Sequence, residues 1–177
     1  MGAKRLSLKL AGFWVGFLVL HYAYEFFPIL PFKLISGIDE SFFQHAKIAF
    51  LAYLAVNGVE YLIRRREIGD LQGFVFSRLF STAILPWFVF LAWYAAAAYY
   101  GRLPTVFLEI LYSNIALILA GICTLIMEGS MEGITYGRGF KAVIVALFVV
   151  SISYYILFTF RLPWADVFAD PYSGGGL

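Results

Sequence analysis

The sequence predicts an all-α, polytopic membrane helix bundle of about five transmembrane helices, with the N-terminus inside and the C-terminus outside. Three observations predict it. Charged residues make up 14% of the 177 residues and hydrophobic ones 62%, against roughly 25% charged in a soluble domain. Apolar runs long enough to cross a bilayer recur along the chain, separated by short breaks. Lys and Arg crowd into alternate connections, as the positive-inside rule requires.

The first predicted span covers 8–27. Lys4, Arg5 and Lys9 precede or open it, as in a signal peptide. The apolar run continues past Leu20 to Tyr22, Tyr24 and Phe26 with no small-residue cleavage pair, so it reads as a retained helix. Leu6 stands where myristoylation needs Ser or Thr. The run ends before Pro28 and Pro31, which cannot continue a helix.

The second span, 42–63, stops at Arg64, Arg65 and Arg66, which read as topology anchors. A third span, 74–100, carries Pro86 in its middle; Leu103 and Pro104 break it from the fourth, 105–127. The fifth covers 140–160, after a glycine-bearing break at 129–139. An outward tail, 161–177, completes a single transmembrane domain, 1–177. Hydrophobic Trp164, Val167 and Phe168 are spaced to fold back onto the bundle, bringing Asp166 or Asp170 toward its outer end.

With the N-terminus inside, the inner side holds Lys4, Arg5, Lys9, Arg64, Arg65, Arg66, Arg78, Arg138 and Lys141. The outer side holds Lys33, Lys47, Arg102 and Arg161. The bias and the odd number of spans agree. The expected location is the plasma membrane, with a cytoplasmic N-terminus and an external C-terminus. Trp14, Trp87, Trp93, Tyr99, Tyr100, Tyr154 and Tyr155 fall near span ends and fit an interfacial aromatic belt in part.

The net charge of +2 names no nucleic-acid partner. The expected partner is the lipid bilayer, with a protein partner or a second copy left open. The single cysteine, Cys123, excludes an intrachain disulfide and reads as a small buried apolar residue. Walker, G-x-S-x-G and C-x-x-C motifs are absent, which disfavours several standard enzymes.

Ionisable residues inside spans are costly, so they tend to be paired and to face the bundle. His21 and Glu25 share one helix face at i,i+4, and His45 lies near the outer start of the second span. Asp39, Glu40 and Ser41 precede that span; Asp39 or Ser41 suits its N-cap, and the acids complement its dipole. Glu109 sits at similar depth. His21, Glu25, Glu40 and His45 are therefore candidate acid–base residues, and His21, Glu25 and His45 candidate ligands of a divalent metal. Two histidines on adjacent helices also allow one haem. A capping segment alone has no need of an imidazole.

At the inner end, Glu60, Glu128 and Glu132 face Arg64, Arg65, Arg66, Arg78, Arg138 and Lys141, and charge balance explains most of them. Asn57 and Asn114 read as interhelical hydrogen-bonding residues. Gly12 with Gly16, and Gly129 with Gly133, match the small-residue packing pattern.

The run His21-Tyr22-Ala23-Tyr24-Glu25 resembles the H-x-x-Y-E pattern of a group of small prokaryotic membrane proteins catalogued as a domain of unknown function. Asp39 to Lys47 is similar to their N-E-S-x-W-E-H-x-K motif, with Asp39, Phe43 and Gln44 as departures. Phe158 to Pro163 and Phe168 to Pro171 resemble their F-T-x-x-P-P and F-x-D-P endings; Gly175 stands where tyrosine is expected. The resemblance implies a five-helix fold and a working polar motif, without an activity. The His21/Glu25 face is also similar to the first helix of the sterol-isomerase-like family, in which acids and a histidine move a double bond.

Three functions follow from this sequence. One is a non-catalytic or accessory membrane protein with a His/carboxylate cluster near its outer face. Another is an intramembrane enzyme acting on a lipid or apolar substrate, with or without a metal. The third is a proton-linked transporter or channel.

Overall fold

The computed structural model describes residues 3–101 and 103–170. Helix α1 runs Ala3–Phe26, α2 Leu30–Ile35, α3 Phe42–Arg64, α4 Leu71–Tyr100, α5 Val106–Glu132 and α6 Arg138–Phe160, with a 3₁₀ turn at Asp166–Phe168. Five of these helices are long and apolar enough to cross a membrane. No strand occurs among the described residues.

Local chemistry sets the helix ends. Ser41 caps α3, its hydroxyl accepting from Gln44 N at 3.4 Å, while Asp39 Oδ1 accepts from Ser41 N at 2.9 Å. Of the two capping candidates, Ser41 therefore holds the helix and Asp39 holds the turn before it. Thr105 caps α5 in the same way, through Leu108 N. Gly101, at φ 67°, follows the last residue of α4 in the left-handed region that glycine enters without steric cost. Pro86 sits buried inside an unbroken α4.

Several boundaries differ from the sequence reading, and one helix is additional. Helix α1 begins at Ala3, so Lys4, Arg5 and Lys9 lie within it rather than before it. Helix α5 continues to Glu132, so Glu128 and Gly129 belong to a span rather than a connection. The short α2 was not expected; Pro31 in its first turn suits a helix start.

Helices α1, α3, α4 and α5 close a ring, each packing on the next. Helix α6 packs on the outside against α4 and α2, with only Ile144 and Thr159 fully buried. Val143, Val149, Val150, Ile156 and Leu157 of α6 are exposed, an apolar face suited to lipid. A Cβ at Gly16 of α1 would lie 3.6 Å from Ala52 Cβ and one at Gly12 3.7 Å from Val56 Cγ2, so this pair faces α3 at close approach. A Cβ added at Gly129 or Gly133 would meet nothing within 4 Å. Cys123 is exposed, not buried as its apolar run suggested; it lies on the outer face of α5.

Asn57 Nδ2 donates to Thr82 Oγ1 at 2.9 Å, joining α3 to α4, and Asn114 Oδ1 accepts from Trp14 Nε1 at 2.8 Å, joining α5 to α1. Both are the interhelical bonds expected. The tail folds back in part: the Phe168 ring lies 4.8 Å from Phe43 and 5.4 Å from Phe158, whereas Trp164 is 99% exposed. Pro171, Gly174, Gly175, Gly176, Arg102 and the Asp166 side chain lie outside the described residues.

Candidate functional site

The ring of four helices has three tiers. At the Arg64 end, Lys9 Nζ donates to Glu60 at 2.6 Å and to Glu128 at 2.5 Å. Tyr53 and Ser81 each donate to Glu128 Oε2 at 2.8 Å. Arg78 bridges Glu60 at 2.9 Å and Glu132 at 2.7 Å, and Arg64 binds Glu60 at 2.5 Å. Lys9, Glu60, Arg78 and Glu128 are all buried. Three acids and three bases from four helices thus neutralise one another, which is how charge survives in a low dielectric. The inner acids are paired as charge balance predicted. Lys9 was assigned to the topology bias and instead sits at the centre of this network. Its signal was present in the sequence: Lys9, Phe13 and Phe17 are spaced i,i+4,i+8, which puts the lysine on the buried face.

The middle tier is apolar. Phe13, Phe17, Ala49, Ala52, Leu85, Val89, Leu117 and Ala120 form one buried cluster. Lys9 and His21 are twelve residues apart on α1, about 18 Å along its axis. These side chains fill the interval.

At the other end, α1 brings His21, the turn before α3 brings Glu40, and the first turn of α3 brings His45. His21 Nε2 lies 3.5 Å from Glu40 Oε1, and His45 Nε2 lies 3.5 Å from Glu40 Oε2. The two imidazole centroids are 5.2 Å apart. One ligand atom from each residue falls within a 4.8 Å set. Phe17 stacks beneath His21 at 6.2 Å, Trp93 lies 5.8 Å from His45, and Tyr22 meets His21 edge-on at 4.7 Å. The histidine side chains are 16% and 14% exposed and Glu40 44%, so the carboxylate is the face of the site that meets its surroundings.

The tautomer of His45 is the informative detail. Its Nδ1 lies 2.9 Å from the Ser41 carbonyl oxygen, which only accepts, so Nδ1 carries the proton. Nε2 of the neutral ring then presents a lone pair to a carboxylate oxygen that also presents lone pairs. Something positive belongs between them, either a second proton on the ring or a metal ion. The spacing of 3.5 Å exceeds the usual 2.7–3.2 Å of an N–H···O bond. It is near the ~3.4 Å ligand–ligand edge of a tetrahedron with ~2.1 Å metal bonds. The Nδ1–H bond to a backbone carbonyl is the contact that orients metal-ligating histidines. His21 Nδ1 is buried without a partner, so its tautomer is not set in this way.

Of the candidates named from the sequence, His21, Glu40 and His45 come together. Glu25 is exposed and is not a member of that set, although it lies near enough to His21 to act on its charge; Glu109 and Asp170 are not members either. Gln44, where the resembled motif has an acid, is buried on α3 and does not join the histidines. Arg65 and Arg66 are exposed, whereas Arg64 takes part in the charged tier.

No family model, curated protein or solved structure matches this chain. The class defined here is therefore structural: an all-α bundle with five helices fit to cross a membrane and a His₂Glu cluster at one end.

Proposed function

We propose that this chain is an integral membrane protein that holds a divalent transition-metal ion through His21, Glu40 and His45. The observation that carries the reading is the His45 lone pair, turned by the Ser41 carbonyl toward a Glu40 oxygen 3.5 Å away. Two imidazoles and a carboxylate are the donor set of many zinc sites, and three protein ligands leave a position for water or a substrate oxygen. This favours the intramembrane-enzyme reading, with an apolar or lipid substrate reaching an aromatic-lined site. A bound ion would supply Lewis acidity; the chain's own part is to orient His45 through the Ser41 carbonyl and to limit water through Phe17 and Trp93.

The non-catalytic reading draws on the charged tier, whose acids and bases satisfy one another and need no substrate. The apolar tier weighs against a conduction path between the two ends. The charge bias supports a plasma-membrane location with a cytoplasmic N-terminus, which puts the metal site at the outer face. The chain's motifs support membership of the uncharacterised five-helix group they resemble.

Elemental analysis of the full chain in mild detergent tests the metal. About one equivalent of zinc or another first-row ion is expected, and it should be lost in His45→Ala and in Glu40→Gln. If wild type, after incubation with zinc and desalting, holds no more metal than the two variants, the proposal fails.

A further inference from the structure

The two ends of the bundle present different surfaces. At the Arg64 end the exposed side chains of the connections are mostly charged: Arg65, Arg66, Glu67 and Asp70 between α3 and α4, and Arg138 where α6 begins. At the histidine end the pattern is reversed. Phe26, Phe27, Ile29 and Leu30, where α1 passes into α2, are all more than half exposed. Tyr99 and Tyr100 close α4 at 83% and 80% exposure, and Phe107 in the first turn of α5 is also mostly exposed. After α6, Leu162 and Trp164 stand out in the same way. The exposed charges of this end, among the described residues, are Glu25, Glu40 and Arg161.

Single exposed apolar residues are ordinary, but clusters of them mark a surface that meets something other than water. Three observations identify what it meets. The cluster at Phe26 continues a stripe of exposed Leu8, Val15, Val19 and Tyr22, which runs at helical spacing along bilayer-length α1. The clusters also lie around the bundle, since α1 and α4 occupy opposite corners of the ring and α6 packs outside it. A protein partner covers one flank, whereas a lipid leaflet surrounds them all. Finally, Tyr99, Tyr100 and Trp164 are of the types that collect where headgroups meet acyl chains. The histidines lie deeper than these residues. His21 is five residues before Phe26, and Trp93, beside His45, is seven before Tyr100. Helices α1 and α4 therefore continue about 8 Å and about 10 Å beyond the cluster.

We propose that the histidine end of the bundle is immersed in its leaflet, with these three connections at the headgroup–acyl boundary and the His21, Glu40 and His45 cluster recessed below it. The partner of this surface is membrane lipid. The exposed Glu40 carboxylate then meets the polar part of a lipid rather than bulk water. Arg161, exposed between Phe160 and Leu162, supplies a cation at the level of the phosphates. The Arg64 end, with its charged connections, stands in water. The immersion rests on the exposed surface alone and holds whether or not the cluster carries a metal.

Spin labels on single cysteines test this in the full chain, reconstituted without other protein into phosphatidylcholine vesicles with reagents on both sides. The positions are Phe27→Cys, Tyr100→Cys and Arg65→Cys, each in a Cys123→Ser chain. At Phe27→Cys and Tyr100→Cys, collisions with oxygen, which partitions into lipid, should exceed those with a water-soluble nickel chelate. At Arg65→Cys the ratio should invert. Nickel collisions that equal or exceed oxygen collisions at Phe27→Cys or Tyr100→Cys overturn the proposal. Shielding of those labels from both reagents would mean that a second copy covers the surface, and overturns it as well. A second measurement leaves these positions unchanged. With Trp14, Trp87 and Trp93 replaced by phenylalanine, Trp164 should be quenched by lipids brominated near the headgroup end of their chains and protected from iodide. Quenching by iodide without quenching by the brominated lipid counts against immersion.

Discussion

At the scale of single residues, what decides a role here is the partner across the bundle. Glu128 is fully buried and accepts from Lys9, Tyr53 and Ser81, so its removal leaves Lys9 with Glu60 alone and the ring with one uncompensated positive charge. Glu128→Ala should lower stability by about 3–5 kcal/mol, the usual cost of breaking a buried pair. Lys9→Ala should cost a similar amount, and the double variant much less than the sum. Reversible denaturation in mixed micelles measures this, and strict additivity would show that the pair is not coupled. Sequence alone named Glu128, because an acid at the end of an apolar run is conspicuous. It did not name Lys9 as the partner, because the first helix and the fifth meet only after folding. Lys47 is a similar case: the residue is legible, but that its ammonium donates to the Lys33 carbonyl and the Thr159 hydroxyl is a tertiary fact.

Among elements, small residues set how closely the helices approach. A Cβ at Gly121 of α5 would lie 2.8 Å from Leu10 Cδ1 and 3.3 Å from the Phe13 ring, both on α1. Leu10 is flexible and can yield, but Phe13 is buried in the core. Gly121→Val should therefore push α1 from α5 and destabilise the bundle by about 1–3 kcal/mol. Gly129→Val, with nothing within 4 Å, should be close to neutral on that packing. A thermal-aggregation series in one detergent separates them, and equal loss at both positions would refute the close-approach account. Sequence reading placed five of the helices, because hydrophobic length is a one-dimensional property. It missed α2, whose six residues are too few to carry a pattern. It also ended the fourth span early, before Glu128, because an acid at the end of an apolar run reads as a boundary until its buried partner is seen.

For the whole molecule, charge asymmetry along the chain and polarity within the bundle act on different levels. The Lys and Arg bias governs which way the bundle inserts. A chain tagged at both ends should show its N-terminal tag protected and its C-terminal tag cleaved when protease is added outside intact cells. The reverse pattern would invert the assignment of the histidine end to the outer face. Inside the bundle, the apolar tier separates the charged and histidine tiers. A change at Glu128 should therefore leave metal content at His21, Glu40 and His45 intact.

The amino-acid sequence by itself determined that the protein is an all-α bundle with five bilayer-length helices, since span length and charge content need no knowledge of contacts. It also supplied both histidines and the Glu40 turn as one candidate cluster, because α1 and α3 are antiparallel neighbours joined by a short segment. Only the tertiary structure selected Glu40 over Glu25, turned the His45 lone pair toward it, joined Lys9 to Glu128 and set the Lys47 ammonium on the Lys33 carbonyl. Those outcomes depend on the rotation of each helix about its own axis. That rotation is set by side-chain packing between helices distant in sequence, at Gly16 on Ala52 and Gly121 on Phe13.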